Sequence, residues 1–487
     1  MSARADERNR VSGLSATEVR SRLDHPVIDI DGHTVEFFPA LAGELVKEGV
    51  RLDGESMLRR TSGTFGPIVD WYSLTPEQRA DRRVARGPWG NGGMELAVDR
   101  ATAMLPRLLH ERLPELGIDV SVIYPSFGLL FGHFDDERDR RGSCRALNRF
   151  NAGVFAEFAD RLLPVAEIPM HTPAEAVDEL EHAASLGFRA VVMAGFVQRP
   201  IAAAAALDPN LAQYAVWTDT FGLDSAYDYD PVWQKCRELG IAPAFHSSAM
   251  GWQNRASISS YVYNHVGMLG ESHHALAKAL FLGGVTRRFP DLNFGFLEGG
   301  VAWAASLYAD LIGHFEKRSG AAMRRLDPTN VDWDEFADLF ARYGGDWAGM
   351  APKPTTYPEQ DVALLDEFAA VGIERAEDIR DLFATPFFCG CEADDPMTVT
   401  AFNTKANPFG ARFNAMFGSD ISHWDVPVMA DVLGEVYEMV EHDLFSVADL
   451  RDFVFTNPVR FYTRGNRDFF AGTSVEKVVE DAVGRRT

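Results

Sequence analysis

The feature that most constrains the fold is an alternation of strand-like and helix-like segments along most of the chain. Eight short runs have the apolar, β-branched composition of strands, and they lie near residues 27, 118, 163, 190, 241, 292, 387 and 413. Segments with the apolar spacing of helices separate them. Strands that alternate with helices indicate an α/β protein with a parallel sheet, and eight such units favour a closed (β/α)8 TIM barrel over an open sheet.

Two segments interrupt this alternation. A long, irregular loop region rich in Gly, Pro and Arg follows the first strand, at about residues 37–93. An acidic, polar segment at about 319–383 separates the sixth and seventh strands and is predicted to be an insertion. We expect residues 1–23 to form an N-terminal arm, either flexible or packed on a partner subunit, and residues 24–487 to form a single barrel domain.

The composition is that of an ordinary globular protein, with 46% hydrophobic and 24% charged residues. A formal net charge of -24 opposes binding to nucleic acid and to anionic membranes. No apolar run is long enough to span a bilayer, and the polar N-terminus lacks the apolar core of a signal peptide. Four scattered cysteines do not form a disulfide framework, so a reduced, cytoplasmic protein is expected.

The first strand carries an unusual set of ionisable residues, in the sequence V-I-D-I-D-G-H. Side chains two residues apart share one face of a strand, so Asp29, Asp31 and His33 are expected to point the same way. Such a set is costly to bury unless something neutralises it, and a divalent cation held by Asp31 and His33 would do so. The alternative is a strand end at which these side chains meet water.

Three other predicted strands also end in groups that bind metals. The fifth ends in His246, the sixth in Glu298, and the eighth is followed by Ser419 and Asp420. In a (β/α)8 barrel the carboxyl ends of all strands meet at one mouth, which carries the active site. Each group alone has an ordinary explanation as a hydrogen-bonded strand end, but together they indicate one metal centre. No dinucleotide-binding glycine motif and no P-loop is present.

Four motifs together resemble the amidohydrolase superfamily. They are D-I-D-G-H, F-H-S, R-R-F-P-D-L-N-F-G-F-L-E-G-G and F-G-S-D-I-S-H-W-D. The branch they resemble contains aminocarboxymuconate-semialdehyde decarboxylase and related aromatic-acid decarboxylases. The resemblance implies a divalent metal held by Asp31, His33, His246 and Asp420. Glu298 occupies the position at which those relatives have a histidine, so their decarboxylation mechanism does not transfer directly.

The resemblance leads to a specific assignment of roles. Zinc is the first expectation for the metal, with manganese or iron as alternatives, because the donors mix oxygen and nitrogen. Asp420 is the predicted base for a metal-bound water, and Glu298 is either a further ligand or an acid–base group. His274 is a third catalytic candidate, against the alternative of an ordinary helix-end residue. The predicted substrate contacts come from His265, His423 and Trp424.

Three functions remain open at this stage. The first is hydrolysis or hydration of a small organic substrate, aromatic or ring-derived, by a metal-bound water. The second is non-oxidative decarboxylation of an aromatic or muconate-like acid. The third is an inactive barrel that serves as a binding protein. The expected partners are a small-molecule substrate and a second copy of the chain in a homodimer, with no nucleic acid and no membrane.

The charge of the predicted site limits its substrates. Two carboxylates on one metal, together with Glu298, leave the site near neutral or negative. An anionic substrate would then need an arginine from a loop, and the sequence offers several candidates without ranking them: Arg51, Arg59, Arg255 and Arg412.

Overall fold

The computed structural model describes residues 13–51, 57–61, 66–88, 96–246, 255–326, 330–352, 366–423 and 426–484. Its centre is an eight-stranded parallel sheet of order β1-β2-β3-β4-β7-β8-β9-β10. The strands are β1 (Ile28–Thr34), β2 (Val120–Pro125), β3 (Leu162–Ile168), β4 (Ala190–Met193), β5 (Val197–Pro200), β6 (Val216–Asp219), β7 (Pro243–Phe245), β8 (Phe294–Phe296), β9 (Phe387–Cys391) and β10 (Asn414–Phe417). The predicted (β/α)8 barrel is therefore confirmed.

Backbone hydrogen bonds join the first strand to the segment that follows the last one. Asp420 N donates to Asp31 O at 2.8 Å, and His33 N donates to Ile421 O at 2.8 Å. These bonds bring the sheet edges together at the carboxyl end of the barrel. The same bonds hold the predicted ligands of β1 beside Asp420.

Helices cover the barrel and connect its strands. The α-helices are Ala16–Arg22, Phe38–Lys47, Pro76–Arg82, Ala97–Thr102, Pro106–Arg112, Glu137–Phe155, Pro173–Ser185, Ala202–Leu207, Asp230–Leu239, Tyr261–His265, Met268–Leu282, Val285–Arg288, Ala302–Arg318, Trp333–Tyr343, Glu367–Ala370, Ala376–Ile379, Val432–Glu441, Val447–Arg451, Asn457–Thr463 and Glu476–Gly484. Within the residues described, no helix has both the length and the apolar character that a bilayer span requires.

The described part of the N-terminal arm packs on its own chain. The side chain of Ser15 caps the helix Ala16–Arg22, and this helix buries Val19. Arg20 forms an ion pair with Asp119, which precedes β2. Residues 1–12 of the predicted arm lie outside the described residues.

Several local predictions differ from the structure for identifiable reasons. The apolar spacing of residues 96–113 predicts a helix, but the structure has two short ones, Ala97–Thr102 and Pro106–Arg112, because Pro106 has no N–H to continue the first. Part of the irregular region after β1 is helical, at Phe38–Lys47 and Pro76–Arg82. The Gly- and Asp-rich composition of the segment after β4 indicates a loop, but this segment contains an antiparallel hairpin of β5 and β6. The strands of this hairpin are four residues long, too short for a clear alternation.

A bulge in β1 changes the direction of its side chains. The pairing with β2 passes from Asp29 opposite Ser121 to Gly32 opposite Ile123, so the register shifts between them. Gly32 is required here because a Cβ would collide with Ser121 Oγ. Asp29 therefore does not share its direction with Asp31 and His33, and the predicted common face of the three is wrong.

Candidate metal centre

Four barrel strands place ionisable side chains at one point of the mouth. His33 Nε2, from β1, lies 3.2 Å from His246 Nε2, which follows β7. Glu298 Oε2, after β8, lies 2.9 Å from His246 Nε2, and Asp420 Oδ1, after β10, lies 3.3 Å from His33 Nε2. Asp31 Oδ1 lies 3.6 Å from His33 Nε2. The donor atoms of five side chains thus face one another.

These donor atoms form two groups. Atoms of Asp31, His33, His246 and Glu298 all lie within 4.8 Å of one another. Atoms of Glu298, Asp420 and His423 form a second group by the same measure. Three of the four predicted ligands share the first group, and Glu298 belongs to both.

The burial of these residues makes their arrangement costly without a cation. His33 is fully buried, and Asp31 is 2% exposed. Within the described structure, Asp31 Oδ1 is buried and accepts no hydrogen bond. A buried carboxylate oxygen without a donor costs several kcal/mol in general, whereas a divalent cation would use its lone pair. The residues present therefore fit a metal ion with mixed oxygen and nitrogen ligands.

The pKa values reflect the same crowding of negative charge. Burial is the largest of several effects that together raise the pKa of Asp31 to about 8; His246 lowers this pKa, and the carboxylates of Glu298 and Asp29 raise it. Burial lowers the pKa of His246, but the nearby Asp31 and Glu298 outweigh it, so that pKa lies above its usual value. A positive ion in the centre would favour the ionised form of Asp31.

Two of the carboxylate residues have unusual backbone conformations. Glu298 has a φ of 59° and Asp420 a φ of 49°, in the left-handed region that residues other than glycine rarely adopt. Such strain is typical of functional sites, where surrounding contacts maintain it.

After Glu298, Gly299 lies so close to His273 that an added Cβ would be 2.5 Å from His273 Cδ2. His273 is buried, and its Nε2 forms a hydrogen bond with Leu297 O at 2.6 Å.

Asp29 holds the two halves of the site together. Its Oδ1 accepts hydrogen bonds from Ser419 N at 2.8 Å and Asp31 N at 3.1 Å. Its Oδ2 accepts from Ser419 Oγ at 2.8 Å and from Ser121 Oγ. The fully buried carboxyl thereby links β1, β2 and the segment that carries Asp420.

An aromatic ring, that of Tyr124, lies beside the two histidines of the site. Tyr124, at the end of β2, is fully buried, and its ring centroid lies 5.9 Å from that of His246 and 6.2 Å from that of His33. Burial raises the pKa of Tyr124 well above its ordinary value, so the phenol is neutral. Tyr124, His273 and the role of Asp29 are not among the site residues predicted from the sequence. The rule that strand ends carry the site would have found Tyr124, since it lies at such an end.

The other predicted site residues lie in different surroundings. His423 is in the second donor group, and its Nδ1 lies 3.0 Å from Asp420 Oδ2. His274 is outside both groups, and its charged neighbours are Lys278 and Asp310. His265 ends the helix Tyr261–His265 and also lies outside both groups. Trp424 lies outside the described residues.

Two of the candidate arginines are engaged elsewhere. Arg255 pairs with Glu271, and Arg412 pairs with Asp449 and Asp452. Arg51 is exposed, and the side chain of Arg59 is outside the described residues. In the ion pairs found among Asp31, His33, His246, Glu298, Asp420 and His423, the cationic partner is a histidine.

Comparison with known proteins identifies the family. The sequence profile of a family described as amidohydrolase matches residues 125–376, slightly more than half of the chain. The chain belongs to the amidohydrolase family. The predicted membership of the amidohydrolase superfamily of enzymes is thereby confirmed. No curated protein has a significantly similar sequence.

Several solved structures resemble this chain at low sequence identity. An amidohydrolase from Mycobacterium avium subsp. paratuberculosis K-10 is 15% identical, with a TM-score of 0.51 over 90% of this chain and 100% of that chain. A dihydroxybenzoic acid decarboxylase from Polaromonas sp. JS666, solved with manganese and 2-nitroresorcinol, is 14% identical, with a TM-score of 0.48 over 92% and 99%. A manganese-bound 5-carboxyvanillate decarboxylase from Novosphingobium aromaticivorans is 12% identical, with a TM-score of 0.48 over 90% and 97%.

Proposed function

We propose that this amidohydrolase-family protein is a metal-dependent carboxy-lyase that removes carbon dioxide from a small aromatic or ring-derived acid. The observation that carries the proposal is the convergence of carboxylate and imidazole donor atoms within 4.8 Å at the barrel mouth. The proposed ligands are Asp31, His33, His246 and Asp420, with Glu298 as a further ligand. Zinc is the proposed metal, and manganese is the alternative that this oxygen-rich donor set also suits.

A bound cation would orient the substrate carboxylate and stabilise negative charge on a neighbouring oxygen. The protein's own contribution begins with the exclusion of water, because His33, Asp31 and Tyr124 are buried. A dry site favours decarboxylation, in which the charge of a carboxylate spreads over the ring as the carbon–carbon bond breaks. The electron pair of that bond remains on the ring carbon, which must then take up a proton.

His423 is the proposed proton donor, beside the proposed ligands. Asp420 Oδ2 lies 3.0 Å from His423 Nδ1, and the His423 ring stacks on His33 with centroids 4.8 Å apart. A carboxylate paired with an imidazole stabilises the protonated ring. The side chain of His423 is 16% exposed, so the ring can regain a proton from solvent. We therefore assign His423 to proton delivery at the ring carbon, with Asp420 orienting it.

Hydrolysis or hydration is the second candidate. It is favoured by Glu298, a carboxylate at the position where the resemblance implies a histidine in relatives. In this reaction Glu298 or Asp420 takes a proton from the attacking water. Both reactions use the same centre, so they differ in the fate of the substrate rather than in metal dependence.

Isotope labelling separates the two reactions. Metal-loaded protein is incubated with a panel of hydroxybenzoic and muconate-like acids and, separately, with esters, lactones and amides of such acids, in water enriched in oxygen-18. Release of carbon dioxide with a ring C–H formed from solvent supports the lyase. Oxygen-18 in the organic product instead supports hydrolysis. No turnover in any class, with the metal bound, supports the binding protein.

The proposal also includes an oligomeric state and a cellular compartment. We propose a homodimer, which sedimentation of the purified chain tests. We also propose a reduced, cytoplasmic setting, which is supported by four cysteines that are all buried and free.

A further inference from the structure

We propose that two loop segments, residues 66–88 and 256–265, form one cover over the barrel mouth, and that Asn264 fastens them together. The first segment belongs to the long connection after β1, and the second belongs to the connection after β7. In a (β/α)8 barrel, the connections that follow the strands lie on the side of the active site. The proposal concerns access to the site and goes beyond the reaction proposed above.

Asn264 is a buried link between the two segments. It is 2% exposed, and its Nδ2 donates a hydrogen bond to Arg86 O, in the other segment, at 2.7 Å. The same side chain holds its own segment, because Nδ2 donates to Ser257 O at 2.8 Å and Oδ1 accepts from Ser257 N at 2.6 Å. One amide therefore satisfies backbone groups of both segments, and buried backbone groups are costly to leave without partners.

Four further hydrogen bonds run from the first segment to carbonyl oxygens of the second. The donors are Trp71 Nε1, Arg83 Nη2, Arg86 N and Arg86 Nη1, and the acceptors are, in the same order, the carbonyl oxygens of Ile258, Ala256, Ser257 and Ser259, at 2.7, 3.2, 3.0 and 3.1 Å. The guanidinium carbons of Arg79 and Arg86 lie 3.6 and 5.0 Å from the ring centroid of Trp71, so cation–π contacts stiffen the first segment. We therefore expect the two segments to move as one body.

The second segment is attached to the metal centre at both ends. Before it, the chain passes through His246, one of the proposed ligands. After it comes the helix Met268–Leu282, whose first turn packs on the residue that follows Glu298. Gly270 and Gly299 are so close there that a Cβ on Gly270 would lie 3.4 Å from Gly299 O. The first segment, fastened to the second, is thus held at the mouth.

Access to the centre requires a cover that moves. The side chains of Glu298, His246 and Asp420 are only 4%, 6% and 6% exposed, whereas a substrate with a ring has to reach them. Loops of enzymes commonly open to admit substrate and close to exclude water. Because Asn264 belongs to the packing of both segments, neither can open without breaking its bonds to the other.

Hydrogen–deuterium exchange of the full-length protein, followed in peptides by mass spectrometry, tests whether the segments are coupled. Asn264→Asp keeps the acceptor for Ser257 N but has no N–H to donate to Arg86 O. We expect exchange to become about tenfold faster in residues 66–88 as well as in 256–265, the factor that corresponds to the loss of about one hydrogen bond. Acceleration confined to 256–265 would overturn the coupling.

Chemical labelling of histidines tests whether the joined segments cover the mouth. Diethyl pyrocarbonate modifies accessible imidazoles, and mass spectrometry follows each histidine separately. In the chelator-treated full-length chain, Asn264→Asp should increase the labelling rate of His246 by about the same factor as the exchange and leave that of the exposed His442 unchanged. An unchanged rate at His246, together with faster exchange in both segments, would show that they do not cover the site.

Two tryptophan variants provide an independent test and its matched control. Trp71→Phe removes the donor to Ile258 O but keeps an aromatic ring, so exchange should accelerate in both segments without an added charge. Trp347→Phe changes a tryptophan that is 68% exposed and should alter neither the exchange of these segments nor the labelling of His246. If circular dichroism shows that Asn264→Asp is unfolded, Trp71→Phe decides between the outcomes.

These measurements use neither a bound metal nor a substrate. A negative result therefore overturns the cover and leaves the proposed carboxy-lyase reaction intact. Conversely, a protein that releases no carbon dioxide from any acid can still show coupled opening of the two segments.

Discussion

Asp29 offers the sharpest test of how the fold supports the site. The substitution Asp29→Ala removes a carboxyl that accepts four hydrogen bonds, from Asp31 N, Ser419 N, Ser419 Oγ and Ser121 Oγ. The two hydroxyl groups can rotate to other acceptors, but the two backbone N–H groups cannot. A buried polar group left without a partner costs about 1–3 kcal/mol, so the variant should lose about 2–6 kcal/mol of unfolding free energy.

Asp29→Asn is the matched control. Its side-chain oxygen can still accept from the two backbone N–H groups, and its amide can donate to the hydroxyl oxygens of Ser121 and Ser419. We expect a loss of less than about 1.5 kcal/mol, comparable to one ordinary hydrogen bond. Urea unfolding of the chelator-treated proteins at pH 7 measures both values. If Asp29→Ala costs no more than Asp29→Asn, the carboxyl does not link β1 to the Asp420 segment as described.

Three further predictions concern the turn after β8 and His273, which packs against it. Gly299→Ala should destabilise the protein by about 1–3 kcal/mol, because its Cβ would lie 2.5 Å from His273 Cδ2, whereas Gly153→Ala, with open space around it, should not destabilise; equal urea midpoints would contradict this. Burial lowers the pKa of His273 to about 4 from 6.5, so the unfolded chain binds the proton first as pH falls. Unfolding free energy should therefore decline between about pH 6.5 and 4, and His273→Gln should reduce that decline; an unchanged slope would show that His273 does not titrate this way. Glu298→His should increase carbon dioxide release relative to hydrolysis if this position selects the reaction, and an unchanged product ratio would exclude that role.

The sequence predicts the barrel and much of the site because both follow from short-range rules. The alternation of segments indicates eight parallel strands, and the strand-end rule selects Asp31, His33, His246, Glu298 and Asp420 without knowledge of any distance. The sequence pattern does not show that these donors divide into two groups, because the division depends on the exact positions of the strand ends.

Other features depend on tertiary contacts that no local pattern records. The bulge in β1 lies where Gly32 packs closely against Ser121, and it moves Asp29 from its expected face. The sequence pattern places His273 and His274 at the start of the helix before the sixth strand, but this helix starts at Met268, so the directions of the two side chains could not be predicted. Successive helical residues point about 100° apart, so only one of the two can face the strand end.

The central idea is that a metal ion explains why these side chains meet. Crystals of the Mn²⁺-loaded protein, measured with X-rays near the manganese absorption edge, locate that ion directly. We expect an anomalous peak bounded by Asp31, His33 and His246. Crystals in which these side chains keep their positions with no anomalous peak among them would contradict it.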